Sequence, residues 1–401
     1  MAKQKHIPFP ISQRLQRVPP YPFVVVAQKV RELQAQGVDV IRMDIGAPDM
    51  PPPPRVIDAL AEMARRPDVH RYPGYRGSPE LKEAFAAYYE RRFHVHLDPE
   101  EEVLPLLGSK EGLHHITQAF VDPGDVVLVP DPGYLTYSTA TLLAGGEIYP
   151  LPLREERGFL PDLNAVPPDV ARKAKILWLN YPNNPTGAVA DLAFFEQAVA
   201  FARQWNILLC HDAPYTDVTF GDYKAPSILQ IPGAKEVAVE FNSLSKAFNM
   251  AGWRVGVALG NAEALAALLR MKSNVDSGIF LPIQHAAAVA LREVEDAWIV
   301  ARNREYARRR DIILETLPDL GMSAQPPQGS LYVWARVPRG MTGEAFAERA
   351  LTRAGVSLAP GGWYGEQGKP FVRISLGVPT PRVKEAMERL RRLADESALI
   401  D

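Results

Sequence analysis

The densest run of reactive side chains is Asn242-Ser243-Leu244-Ser245-Lys246-Ala247-Phe248-Asn249-Met250-Ala251-Gly252-Trp253-Arg254. One lysine sits among small hydroxyl residues, with an arginine eight positions on. That set suits an amine that attacks an aldehyde while serines and a guanidinium hold a phosphate. The apolar run Val237-Ala238-Val239-Glu240-Phe241 before it is long enough for a buried strand. Lys246 would then follow a strand's end, where α/β proteins place ligands. Read alone, the stretch also fits a surface lysine in a polar loop.

Other polar groups fall at similar places. Gly108-Ser109-Lys110-Glu111-Gly112 opens a helix expected to run through Phe120. A lysine in a helix's first turn opposes the macrodipole unless an anion is near. A phosphate on free backbone N–H groups and the Ser109 hydroxyl would supply one, although Gly-Ser is also a common helix start. Residues 126–129, 176–179 and 207–210 are short apolar runs separated by helical stretches, the pattern of parallel strands covered on both faces. They are followed by Pro132-Gly133-Tyr134, by Asn183-Asn184-Pro185-Thr186-Gly187, and by Asp212 with Tyr215. A base, an acid partner and a phosphate clamp would thus gather at one sheet edge. In a later strand, period-two alternation puts Phe371, Arg373 and Ser375 on one face and Val372, Ile374 and Leu376 on the other. Arg373 then points away from the apolar side, either as a surface arginine or as a bidentate reader of a carboxylate.

Positioning these groups takes a scaffold, and the length of 401 residues suggests two or three domains. With 45 Lys+Arg against 47 Asp+Glu there is no basic excess for nucleic acid. The hydrophobic share of 47% is ordinary for a globular protein, and no uninterrupted apolar run could span a bilayer. Prolines interrupt the N-terminus before a signal-like apolar segment can build, so a cytoplasmic protein with no membrane or nucleic-acid partner is expected. The single cysteine, Cys210, lies in an apolar run, excludes an internal disulfide and reads as a core residue. No Cys/His spacing suggests zinc, and no metal site is expected.

Residues 1–27 read as a proline-rich arm with little regular structure. A helix is expected at 24–36, a strand at 40–45, and helices at 55–64 and 79–92, the last favoured by Pro79 and Glu80 in its first turn. The charged segment 293–317 would join two domains, with most of its arginines on a solvated face. A second small α/β unit follows, with strands near 330–337 and 371–376 and a last helix at 381–397.

Ser243-Leu244-Ser245-Lys246 followed by Gly252-Trp253-Arg254-Val255-Gly256 resembles the lysine motif of fold-type I, class I/II pyridoxal-phosphate aminotransferases. Asn184-Pro185-Thr186-Gly187, Asp212 with Tyr215, and Arg373 in a strand match in order, so the resemblance runs from Gly46 to Arg373. Ala213-Pro214 between Asp212 and Tyr215 departs from the usual motif but keeps its spacing. The resemblance implies an α/β fold: a large domain, 48–285, with a mostly parallel sheet covered by helices, and a smaller discontinuous α/β domain. The smaller domain would be formed by 286–401 with part of 1–47, which also holds the arm.

The implied cofactor is pyridoxal 5'-phosphate. Lys246 would attach it and carry the proton, Asp212 would pair with its ring nitrogen, and Tyr215 and Asn184 would bond its ring oxygen. Ser109, Lys110, Ser243, Ser245 and Arg254 would hold the phosphate, and Tyr134 would stack on the ring. Gly46, Asn184 and Arg373 would meet the substrate carboxylate. A homodimer is implied, with Tyr72 reaching the other subunit's phosphate and Tyr75 as a competitor for that role. The segment Lys272-Ser273-Asn274-Val275-Asp276-Ser277-Gly278-Ile279-Phe280 is most similar to the branch with LL-diaminopimelate and some alanine or aspartate aminotransferases. The expected reaction moves an amino group between an L-amino acid and a 2-oxo acid such as 2-oxoglutarate. A C–S β-lyase of the same fold and a non-catalytic cofactor-binding regulator are the alternatives. Arg76, Asp276 and Ser277 are candidates to meet the substrate's distal group.

Overall fold

The computed structural model describes residues 9–398; the first eight residues of the expected arm lie outside them. A seven-stranded sheet forms the middle of the larger unit, in the spatial order Val103–Leu106, Gly256–Gly260, Ala238–Ser243, Leu208–Asp212, Ala174–Asn180, Val126–Asp131, Glu147–Pro152. Only Gly256–Gly260 runs against the others. The central strands are the apolar runs of the sequence, buried on both faces between helices. Three strands of this sheet were not expected from the sequence. Val103–Leu106 and Glu147–Pro152 contain prolines and lie at the two edges, where a missing N–H costs no ladder bond. Gly256–Gly260 has three small residues of its five and reads as a turn.

The smaller unit is built from both ends of the chain. Tyr332–Arg336, Phe371–Ser375 and Ala359–Pro360 form an antiparallel sheet with Phe371–Ser375 in the middle. Ile41–Arg42 pairs in parallel with Val356–Ser357, and the Ser375 N–H donates to the Met43 carbonyl at 2.8 Å. Ile41 and Met43 share a core with Tyr306, Val333, Val372 and Val383. The strand expected over 40–45 is therefore only two residues long, because it has one short neighbour to pair with.

The arm is more regular than its prolines suggest. Gln13–Gln16 is a helical turn capped by Ser12, and Pro22 opens a helix, Pro22–Ala35, that ends near Gly37. Proline in a first turn loses no needed hydrogen bond, so here it starts a helix where its usual effect is to break one. The expected domain boundary at residue 285 falls inside the helix Leu281–Glu293. Residues Ala286 to Leu291 of that helix belong to the core of the larger unit, packed on Pro54–Ala64 and Pro79–Phe93.

The connecting segment is one helix, Asp296–Thr316. Arg304 and Arg308 are exposed, as expected of most of its arginines, but Arg302 and Arg309 are buried. Arg309 forms a bidentate pair with Asp49 at 2.6 and 3.0 Å and donates to the Leu376 carbonyl at 2.9 Å. Among the described residues no helix is long and apolar enough to cross a membrane.

Candidate active site

The carboxyl ends of the central strands open on a cavity of about 550 Å³ between the two units, within the range that holds a small cofactor and substrate. The residues expected to hold the cofactor or the substrate carboxylate all line it except Tyr72, which is 89% exposed on its own chain. Arg76, Asp276 and Ser277 do not line it. Arg76 bonds the Glu100 carbonyl, and Asp276 pairs with Lys272 at 2.7 Å. Lys272 also lies 3.5 Å from Glu111, which bonds His115 at 2.8 Å. One side-chain oxygen or nitrogen from each of Glu111, His115 and Asp276 lies within 4.8 Å of the others. With the Lys272 ammonium among these carboxylates, the cluster already contains its balancing cation.

Asp212 ends its strand with its carboxylate buried. Tyr137 donates to Oδ2 at 2.7 Å, while Oδ1 is buried with no hydrogen-bond partner. Burial pushes the pKa up to about 6, opposed by the Tyr137 hydrogen bond and the charge of His211. A buried carboxylate oxygen left single is a place for a cationic N–H donor.

Lys246 lies in the one-turn helix Leu244–Ala247 that directly follows Ala238–Ser243. Ser243 caps that turn: its hydroxyl accepts from the Ser245 N–H at 3.2 Å and donates to the Val255 carbonyl at 3.2 Å. The Lys246 amine donates to the Gly46 carbonyl. Burial, with the nearby charges of Arg373 and Arg254, lowers its pKa to about 7, so a large share of the amine is neutral and nucleophilic near neutral pH. Arg302 donates to the Lys246 carbonyl at 2.9 Å and also to those of Ala247 and Asp217. The connecting helix thus holds the backbone of the lysine turn.

The anion corner forms at the start of Ser109–Phe120. Gly108 has φ +79°, and a Cβ there would lie 2.2 Å from the Arg254 guanidinium. Lys110, its pKa lowered by burial and then by Arg254, lies 4.7 Å from the Tyr21 ring centroid. Two cations meeting at a helix N-terminus call for an anion.

Arg373 is buried, contrary to a surface reading. It donates to Asn184 Oδ1 at 2.8 Å and to the Asp44 carbonyl at 2.7 Å, and its Nε has no partner. Its guanidinium carbon lies 4.0 Å from the Tyr332 ring centroid and 5.0 Å from that of Tyr364. Tyr332 also shares a 2.8 Å hydrogen bond with Tyr215, and a Cβ on Gly46 would lie 2.1 Å from the Tyr332 hydroxyl. Gly46 is therefore glycine for space.

Tyr137, Tyr332, Arg302 and the lining residues Tyr21 and Phe23 were not expected from the sequence. Tyr137 falls one helical turn after Tyr134, which was the one available hint. The others reach the site through partners far away in the chain. These groups fit pyridoxal phosphate: a lysine amine for the aldehyde, a free carboxylate oxygen for a protonated ring nitrogen, and a cationic helix start for the phosphate.

The family model for "Aminotransferase class I and II" matches residues 38–390. An LL-diaminopimelate aminotransferase from Moorella thermoacetica is 51% identical over 382 residues, covering 95% of this chain and 98% of that protein. Among solved structures, substrate-bound BacF from Bacillus subtilis superposes with a TM-score of 0.92 at 40% identity, covering 96% of this chain and 98% of that one. A probable N-succinyldiaminopimelate aminotransferase from Thermus thermophilus gives a TM-score of 0.88 at 41% identity, covering 93% of this chain and 100% of that one. With the family's match spanning most of the chain, this protein belongs to the class I and II aminotransferases, pyridoxal-phosphate enzymes that move an amino group between an amino acid and a 2-oxo acid.

Proposed function

We infer that this chain transaminates LL-diaminopimelate, with 2-oxoglutarate as the partner oxo acid. The observation that carries this substrate is the 51% identity, over nearly full length, to a relative of that name. When bound, pyridoxal phosphate supplies an aldehyde that takes up amino groups and a ring that withdraws electrons from the reacting carbon. The chain's own groups do the rest. Lys246 Nζ takes and returns the proton at the substrate Cα, a role suited to an amine titrating near 7. Asp212 Oδ1, buried without a partner, would accept from a positively charged ring N–H. Tyr215 and Asn184 would bond the ring oxygen, and Tyr134 would pack against the ring. Ser109, Lys110, Ser245 and Arg254 hold the phosphate; Ser243, whose hydroxyl bonds backbone here, orders the turn as well as facing that corner. Arg373 receives the α-carboxylate in the space kept by Gly46 and beside Asn184.

Tyr72, exposed on its own chain, would complete the phosphate site of a second copy, making the working unit a homodimer in the cytoplasm. Incubating the enzyme with LL-diaminopimelate and 2-oxoglutarate should form glutamate faster than with alanine, aspartate or N-succinyldiaminopimelate as donor. No glutamate from LL-diaminopimelate, with turnover of another donor, would refute the substrate. A monomer by sedimentation with full activity would refute the role of Tyr72.

A further inference from the structure

We propose that Tyr332 is a positioning residue for Tyr215: its hydroxyl donates to the Tyr215 oxygen and thereby directs the Tyr215 proton into the cavity. This rests on the reading that Tyr215 bonds the cofactor there.

Both tyrosines are buried and line the cavity, with their hydroxyl oxygens 2.8 Å apart and their rings edge to face at 5.8 Å. Among the described residues the Tyr332 hydroxyl has no other hydrogen-bond partner. One hydroxyl must donate to the other, and the surroundings decide which. In the antiparallel pair, Tyr332 lies opposite Ser375 and Trp334 opposite Arg373, so Tyr332 and Arg373 are diagonal neighbours on one face. That register brings the guanidinium carbon to 4.0 Å from the Tyr332 ring centroid, fixed by Asn184 and the Asp44 carbonyl. A cation over a phenol ring draws electron density from it and strengthens its O–H as a donor. No such cation lies over the Tyr215 ring among the described residues. Tyr332 is thus the better donor, and Tyr215, accepting, keeps its own proton for the cavity.

The bare Cα of Gly46 leaves room for this hydroxyl, since a Cβ there would overlap it. Arg373 and Tyr215 therefore touch two parts of one ring, the face and the hydroxyl. The group that receives the substrate carboxylate is in this way joined to the group that faces the cofactor.

The other charged or titratable groups around the pair are Asp212 at the end of the strand that leads to Tyr215, Tyr137 bonded to it, Lys246 on its turn, Asp44 beside Arg373, and Tyr21, Tyr134, Tyr364 and Arg254 on the cavity wall. None of them changes in Tyr332→Phe, which keeps the ring under Arg373 and removes only the hydroxyl.

The test is the pH midpoint of the visible absorption band of the cofactor-loaded enzyme, read in wild type, Tyr215→Phe, Tyr332→Phe and the double variant. Thermal melting confirms that each is folded. Tyr332→Phe should move the midpoint in the same direction as Tyr215→Phe, by about 0.4–1.1 pH units, the equivalent of one neutral hydrogen bond. The double variant should match Tyr215→Phe alone. A wild-type midpoint in Tyr332→Phe, or a shift that persists on top of Tyr215→Phe, overturns the inference. A wild-type midpoint in Tyr215→Phe itself would instead refute the reading of Tyr215, and the inference with it.

Discussion

Tyr137 donates a 2.7 Å hydrogen bond to one oxygen of Asp212 and leaves the other buried without a partner. The tyrosine, whose ring stacks on Trp178 at 4.8 Å, orients the carboxylate from beneath. It also opposes the rise in the Asp212 pKa that burial causes. Tyr137→Phe should therefore raise that pKa further and weaken cofactor binding by roughly tenfold, the worth of one hydrogen bond to a charged group. Titrating the cofactor-free protein with pyridoxal phosphate at pH 6 and pH 8 checks this. The loss should be larger at pH 6, where more of the carboxyl is protonated.

Lys246 makes the cofactor-free protein's stability depend on pH in a defined sense. Its folded pKa, about 7, lies below the unfolded value of 10.5, so between these pH values the unfolded chain binds more protons. Stability should rise with pH across that window, and the cost of burying the ammonium is present in full below pH 7. Lys246→Met should melt higher than wild type at pH 6.5, with the difference shrinking as pH approaches 10. Equal melting temperatures throughout would mean that the amine is not held away from water.

Arg302 links the connecting helix to the backbone of the lysine turn. Arg302→Met leaves three carbonyls, those of Ala247 and Asp217 buried and that of Lys246 part-buried, short of a donor, although Asn303 still donates to that of Asp217 at 2.9 Å. A loss of roughly 3 kcal/mol in stability is expected, measured by denaturant unfolding of the loaded enzyme. Turnover should fall as well, because the turn that aims Lys246 loses its brace. Arg302→Lys, a shorter reach with a single charged centre, should recover only part of either.

How much of this was legible in the chain follows from what each element depends on. The central strands could be read because parallel strands buried on both faces are apolar without a break, as in Ala174–Asn180. Edge strands with prolines could not, since their pattern is that of a turn until a neighbour is known. Three residues that line the cavity could be read by type and by their place at a strand end or a helix start: Asp212, Lys246 and Ser109. Those that orient them were not. Tyr137, Tyr332 and Arg302 act on partners 75, 117 and 56 residues away in the chain, and nothing local distinguishes them from core tyrosines or surface arginines. The burial of Arg302 and Arg309 was missed because charge density along a helix reports its average exposure and not the acceptors that a few side chains meet.

The account stands or falls on Lys246 as the single point of covalent attachment for the cofactor. The most direct test is borohydride reduction of the loaded enzyme, followed by peptide mapping by mass spectrometry. One pyridoxyl label per chain, on Lys246, is the expected result, with none in Lys246→Ala. Arg254→Ala should still be labelled at Lys246 once the cofactor concentration is raised. A label on Lys110 or another lysine in wild type, or undiminished labelling in Lys246→Ala, would contradict the account.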